Sequence, residues 1–282
     1  MTLRKYSYYL SSIFELLFNV RPLSTVFNIF LKSILRSPAN VDRDAAPAEK
    51  IISLPQHGVS FKVRGAMDIW SVKETFLDRF YIKFGTPIGS GWTIVDIGGG
   101  IGDFTTFAAH SHASNTVFAF EPTPHSFRLL QENLERNAVN NASGYQQAIW
   151  SEEGTLWIDT TVGEPGQFIS RDLPGQDPQE GAARNGSIPV PCISLVQALH
   201  GLGINRCDLL KMDCEGAEYS ILFSTPAETL VRIQRIVMEY HDGVNQYSHV
   251  DMARFLTEHG YSVHTEANFV HTTLGYLYAD RT

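Results

Sequence analysis

The 282-residue sequence has little cysteine, few charges and no long apolar run. Its three cysteines, Cys192, Cys207 and Cys214, are odd in number, and no two stand at CxxC spacing. That speaks against a disulfide framework and against a zinc site, and it fits a reducing compartment. No stretch reaches the roughly 18 apolar residues a membrane-spanning helix needs. No apolar segment ends in the small-residue cleavage site of a secretion signal. A cytoplasmic setting is the expectation. Basic residues are outnumbered 22 to 30, for a formal net charge of −8. Non-specific nucleic-acid binding rests on clustered Lys and Arg, so no nucleic-acid partner is expected. What remains, 43% apolar and 18% charged, is a globular composition. The length suits one substantial core with additions.

Residues 1–37 are rich in Leu, Phe, Tyr and Ile, with Arg4, Lys5, Arg21, Lys32 and Arg36 set against Glu15 alone. The spacing predicts two helices broken at Pro22. Such a segment caps the core or covers a substrate cleft, or else contacts a membrane surface or partner protein. Residues 37–50 read as a linker, which makes 1–50 a helical N-terminal extension. A hairpin with Gly58 in its turn is expected next, then a helix over 66–84. From residue 92 strands and helices alternate. Strands are expected at 93–97, 116–121, 145–149, 154–159, 207–212 and 235–240, with an antiparallel pair at 261–266 and 269–279. Helices are expected near 103–112, 124–137, 216–223 and 247–259. This order predicts an α/β fold whose mostly parallel sheet is covered on both faces. The Gly- and Pro-rich stretch 160–187 reads as a long loop, either a lid or a surface insertion.

The chemistry concentrates at TIVDIGGGIGDFTTFAAH, residues 93–110. Gly98, Gly99, Gly100 and Gly102 follow the first strand, where an open α/β sheet binds its ligand against bare backbone. A dinucleotide turn needs GxGxxG, but counting from Gly98 the third glycine would fall on Asp103. The pattern is GxGxG, flanked by Asp96 and Asp103. Two carboxylates repel a pyrophosphate and favour a cation. S-adenosylmethionine, with its sulfonium and ammonium, fits that field better than NAD. Glu121, closing the second strand, is placed to accept hydrogen bonds from a ribose diol. Its alternative role, capping the next helix, is already filled by Thr123 with Pro124.

In order, VDIGGGIGDFT, AFEPTPHSFRLLQENLERN, AIWSEEGTLWI, DLLKMDCEGAEYSIL and VMEYH resemble the FkbM family of S-adenosylmethionine-dependent methyltransferases, over about residues 92–265. KMDCEGAE, standing where the family has a KIDVEGAE-like motif, is the most specific piece. DIGGGIG departs from the family's usual DIGANIG without changing its role. The resemblance implies a class I methyltransferase domain over 51–282, Rossmann-like, with a mostly parallel seven-stranded sheet and an antiparallel C-terminal edge. It implies that Asp96, Gly98, Gly100 and Gly102 line the methionine end of the cofactor, Glu121 the ribose, and Gln147 and Ala148 the adenine edge. It also implies a hydroxyl acceptor on a sugar, glycan or natural product.

A hydroxyl nucleophile must lose a proton, so a base is sought at the carboxyl ends of the later strands. Asp213 is expected to face both the cofactor methyl and the acceptor. His241 is the leading base, because histidine ordinarily titrates near neutrality. Glu215 is within reach of the acceptor, Glu218 reads as structural, and Lys211 reads as a partner for one of these acids. Asp213, Glu239, His241 and Asp242 are also potential metal ligands, but no spacing specifies a metal site. Three other readings are weighed: a nicotinamide-dependent oxidoreductase, a nucleobase methyltransferase, which would carry an NPPY-like turn in place of KMDCEGAE, and a non-catalytic binding protein on the same scaffold.

Overall fold

The computed structural model describes residues 2–35, 48–159, 169–171, 187–268 and 270–282. Helices α1 (Thr2–Asn19) and α2 (Leu23–Leu35) come first, broken at Pro22 as the sequence leads one to expect. The linker expected over 37–50 lies mostly outside the described residues. Strands β1 (Lys50–Leu54) and β2 (Val59–Val63) form the expected hairpin. The helix expected over 66–84 is three pieces: α3 (Ala66–Lys73), a π-helical turn (Glu74–Asp78) and α4 (Phe80–Lys83). The break is at Arg79, whose φ of 56° puts it in the left-handed region. Apolar periodicity survives such a break, so it is invisible to pattern reading.

Next come β3 (Thr93–Ile97), α5 (Asp103–Ser111), β4 (Thr116–Phe120), α6 (Pro124–Arg136) and β5 (Ala142–Tyr145). The strand expected at 145–149 is split. Its first residue ends β5, the Gln147 amide turns back onto the Tyr145 carbonyl at 2.9 Å, and β6 (Ala148–Trp150) enters another sheet. That second sheet has the order β6-β9-β7-β8, with β7 at Gly154–Asp159, β8 at Ile169–Arg171 and β9 at Ser187–Ser194. Most of the loop expected at 160–187 lies outside the described residues, but 169–171 within it pairs with β7. The chain continues through α7 (Leu195–Gly201), β10 (Leu209–Met212), α8 (Glu218–Phe223), α9 (Ala227–Leu230), β11 (Arg235–His241), α10 (His249–Glu258), β12 (Tyr261–Ala267) and β13 (Leu274–Arg281).

The main sheet has seven strands in the order β12-β13-β11-β10-β3-β4-β5. The pairings among β5, β4, β3, β10 and β11 are parallel, and β13 runs antiparallel between β11 and β12. From β3 the chain proceeds outward through β4 to β5, and from β10 outward through β11. The β3/β10 pair is therefore the switch point at which open α/β sheets bind ligands. The inner strands are apolar because both faces are covered: Ile94, Val95, Leu210, Met212 and Met238 are fully buried. Leu16, Val20 and Val26 of the N-terminal helices share a cluster with Phe61, Val72 and Phe76, so α1 and α2 pack into the body of the protein. Among the described residues no helix is long and apolar enough to cross a membrane.

Candidate active site

Register dictates the centre of the site. Asp96 stands directly opposite Lys211 across the β3/β10 ladder. The Lys211 ammonium lies 3.0 Å from the Asp96 carboxylate and donates to the Gly98 carbonyl at 2.8 Å. Burial alone would pull this lysine's pKa down, but Asp96, Asp213 and Asp103 outweigh it and keep the lysine charged. The other Asp96 oxygen accepts from the Thr105 hydroxyl at 2.6 Å. Asp96, 0% exposed, therefore stands behind the glycine turn and is not among the residues that line the cleft, whereas the sequence leads one to expect it at the methionine end. A carboxylate next to a buried ammonium is worth more to the fold than to a ligand.

The glycine turn is pinned from both sides. The Gly98 and Gly99 amides both donate to the Phe120 carbonyl at 3.0 Å, while Lys211 holds the Gly98 carbonyl. Gly98 has φ 79°, and a Cβ on it would sit 1.8 Å from the Asp213 carbonyl oxygen. Gly98 and Gly100 line the cleft. Gly102 does not; its Cβ position faces Leu130 of α6 at 3.2 Å, so it is a packing glycine, again other than expected.

Glu121 lies at the mouth of the turn and is nearly buried. One oxygen accepts the Gly100 amide at 3.0 Å, and the other accepts the Thr123 amide at 2.9 Å and the Thr123 hydroxyl. Thr123 holds the N-cap position of α6 but makes no cap bond with its side chain, contrary to expectation. Glu121 thus ties the start of α6 to the glycine turn. A side cavity of about 90 Å³ opens beside it, lined by Phe120, Pro122, Ala148, Ile149 and Ile158. Ala148 is therefore placed at an apolar slot suited to a flat ring, whereas Gln147 is not among its lining residues.

The opposite wall holds the expected catalytic group. Asp213 and Glu215 line both cavities, and Asp213 accepts the Tyr81 hydroxyl at 2.7 Å. Glu215 adopts φ 54°, a left-handed conformation that turns the chain at the cleft. His241 is buried, with Glu215 at 3.4 Å from Nε2 and Glu218 at 3.3 Å from Nδ1. Burial would lower its pKa, but Glu218, then Asp213 and Glu215, raise it to about 10. A proton held that firmly suits an ion-pair partner of Glu215 and Glu218 better than a general base. Glu239 is pushed well above the ordinary carboxylate range by burial, Asp213 and Glu74. Asp242 accepts from Tyr219 at 2.8 Å and from His249 at 2.7 Å and is not among the residues that line the cleft.

Sequence reasoning offered a cleft-covering role for residues 1–37 but named none of the residues between 64 and 81 that wall the site. Tyr8, Phe30, Arg64, Trp70, Glu74 and Tyr81 all line the main cleft, which measures about 860 Å³. Glu74 sits on the π-helical turn and accepts the Trp70 indole N–H at 2.9 Å. Burial raises its pKa, the Trp70 bond opposes, and Asp213 and Asp78 add to the rise, to about 8. The i,i+4 spacings of Trp70 with Glu74 and of Arg64 with Asp68 were visible signals. The volume suits a nucleoside-sized cofactor with part of an acceptor. Bare backbone at Gly98, a carboxylate at Glu121 and a surplus of acids suit a cofactor carrying a ribose and a positive charge.

Comparison with known proteins agrees with this geometry. The profile of the methyltransferase FkbM domain matches residues 96–263, over half the chain. The sequence is 28% identical over 236 residues to the 31-O-demethyl-FK506 methyltransferase FkbM of Streptomyces tacrolimicus, covering 74% of this chain and 88% of that one. It is 22% identical over 209 residues to the hexuronic acid methyltransferase AglP of Haloferax volcanii, covering 74% and 80%. The solved methyltransferase FkbM of Methylobacillus flagellatus shares the fold, with a TM-score of 0.51 at 13% identity, over 72% of this chain and 47% of that one.

Proposed function

The chain belongs to the FkbM methyltransferase family, and from that premise we propose that it methylates a hydroxyl oxygen on a sugar, glycan or natural-product small molecule in the cytoplasm. S-adenosylmethionine is the cofactor, and it supplies a methyl group already activated on a sulfonium. The work left to the protein is therefore placement and proton transfer.

One observation carries the choice of acceptor. Asp68, Glu121, Asp213 and Glu215 line the cleft beside Glu74, Asp103 and Glu239, whose carboxyl groups keep their protons to higher pH, while Lys211 and Arg64 are engaged by Asp96 and Asp68, and His241 by Glu215 and Glu218. That field attracts a sulfonium and repels an anionic nucleophile, so a neutral hydroxyl suits it better than a carboxylate. Relatives named for an FK506 derivative and for a hexuronic acid support a natural-product or sugar acceptor. In this reading Gly98 and Gly100 give the cofactor bare backbone, Glu121 receives the ribose diol, and Ala148 edges the adenine. Asp213 takes the acceptor proton, with Tyr81 fixing its carboxylate. Glu215 orients the acceptor, and protonated His241 holds Glu215 in place. Residues 51–282 form the methyltransferase domain, and 1–50 its extension.

Titration calorimetry with S-adenosylmethionine, S-adenosylhomocysteine and NADH tests the cofactor half, with Glu121→Ala as control. Binding of both adenosyl ligands, weakened in the control, is expected; binding of NADH alone would sink the reading. A screen of neutral hydroxyl and carboxylate acceptors for methyl transfer tests the other half. Turnover confined to carboxylates would refute it.

A further inference from the structure

Among the described residues, the outer face of α1 carries a row of large apolar side chains that packing does not explain. Leu10, Ile13, Phe14, Leu17 and Phe18 recur at steps of three and four, and all are exposed, Phe14 by 59% and Phe18 by 72%. Leu23 and Phe27 of α2 extend the patch. The inner face of α1 does the folding: Ser12, Leu16 and Val20 are buried, Glu15 pairs with Lys73 at 3.0 Å, and Tyr8 donates to Asp78 at 3.3 Å. The outer stripe is therefore free of structural duty, and a contiguous apolar surface of this kind marks a contact.

Charge says what it contacts. Residues 1–37 hold five basic residues and one acid, Glu15, within a chain of net charge −8. That acid is engaged on the inner face by Lys73. A basic segment bearing an apolar stripe, on an otherwise acidic protein, is the complement of an anionic lipid surface. The patch is also continuous with the cleft. Ile13 and Met67 are half-exposed and line it, with Phe30 beside them.

We propose that the α1–α2 face docks on an anionic lipid bilayer, and that the acceptor reaches the cleft from that surface as a neutral sugar on a lipid. The second clause rests on the methyltransferase reading; the first does not. The helix lies in the plane of the interface, with its apolar side chains among the headgroups and the mouth of the cleft at the bilayer.

The test is sedimentation of the full chain with vesicles of phosphatidylcholine containing phosphatidylserine, against phosphatidylcholine alone. Binding to the anionic vesicles that falls as salt is added is expected. A Phe14→Ser/Phe18→Ser variant should partition about tenfold more weakly and bind S-adenosylmethionine as the wild type does. Leu10→Gln/Phe27→Gln serves if the first variant does not fold. A chain that stays in the supernatant yet binds S-adenosylmethionine overturns the docking alone. A wild-type dimer that the serine variant dissolves overturns it in favour of a second copy. A chain that binds vesicles but not S-adenosylmethionine keeps the docking and removes the function. Equal methyl transfer to a neutral glycolipid in vesicles and to its free sugar overturns the second clause.

Discussion

Asp96 and Glu239 both stand on inner strands of the main sheet, and they are treated in opposite ways. Asp96 has Lys211 at 3.0 Å and the Thr105 hydroxyl at 2.6 Å. Glu239 faces Asp213, Glu74 and Glu215, with His241 as the opposing charge. The same contrast holds along each wall of the cleft. On the β3/β4 side the carboxylates are tied to amides, hydroxyls or an ammonium. On the β10/β11 side and the π-helical turn, acids crowd one another, and Glu74 and Glu239 hold their protons to higher pH than usual. The first wall is built for rigidity and the second for exchange of charge with a ligand, since binding a sulfonium relieves its repulsion.

Substitutions should therefore cost stability on the first wall and activity on the second. The largest effect is expected from Gly98→Ala, which combines a φ of 79° with a Cβ 1.8 Å from the Asp213 carbonyl oxygen. It should cost more than about 3 kcal/mol in urea unfolding and abolish cofactor binding by calorimetry. Lys211→Met leaves Asp96 buried and unpaired, for a loss of about 3–5 kcal/mol by the same measurement. Glu74→Gln should leave the urea midpoint unchanged or raised, while kcat/KM falls about 10- to 100-fold. Its pH–rate profile should lose an inflection near 8, where the Glu74 carboxyl titrates. A midpoint that drops as far as that of Lys211→Met would break the contrast between the walls. The last prediction concerns His241, whose pKa is raised from 6.5 to about 10 by Glu218, Asp213 and Glu215 against the pull of burial. The stability its proton contributes is complete below pH 6.5 and disappears as pH rises through about 10. His241→Asn should flatten that alkaline fall in melting temperature; an unchanged profile would show that the imidazole carries no proton there.

The first wall was also the legible one. The strand expected at 93–97 is Thr93–Ile97, and the helix expected near 124–137 is Pro124–Arg136. Glycines, an acid at a strand end and apolar runs are local signals, and the β3-to-β5 half of the sheet is built from them. The second wall was legible only in part: Asp213, Glu215, Glu239 and His241 were expected at the ends of the later strands and line the cleft, but their partners depend on contacts far apart in sequence. Tyr81 meets Asp213 across 132 residues. Glu74 enters the cleft only because a π-helical turn re-aims the chain before Arg79. How firmly His241 holds its proton is not legible from its residue type, because Glu218, Asp213 and Glu215 set it. Asp96 and Gly102 were assigned to the ligand by motif, while register and the packing of α6 assign them to the fold.

The bond from Lys211 to the Gly98 carbonyl spans 113 residues. A nascent chain that has emerged only as far as β9 already carries the glycines and Glu121. It has neither the ammonium that holds the turn nor the Asp213 backbone that shapes it. The methyl donor therefore meets a finished pocket only after the ribosome has delivered β10, and capture of that small molecule by a growing chain would time the moment when the two halves of the sheet join.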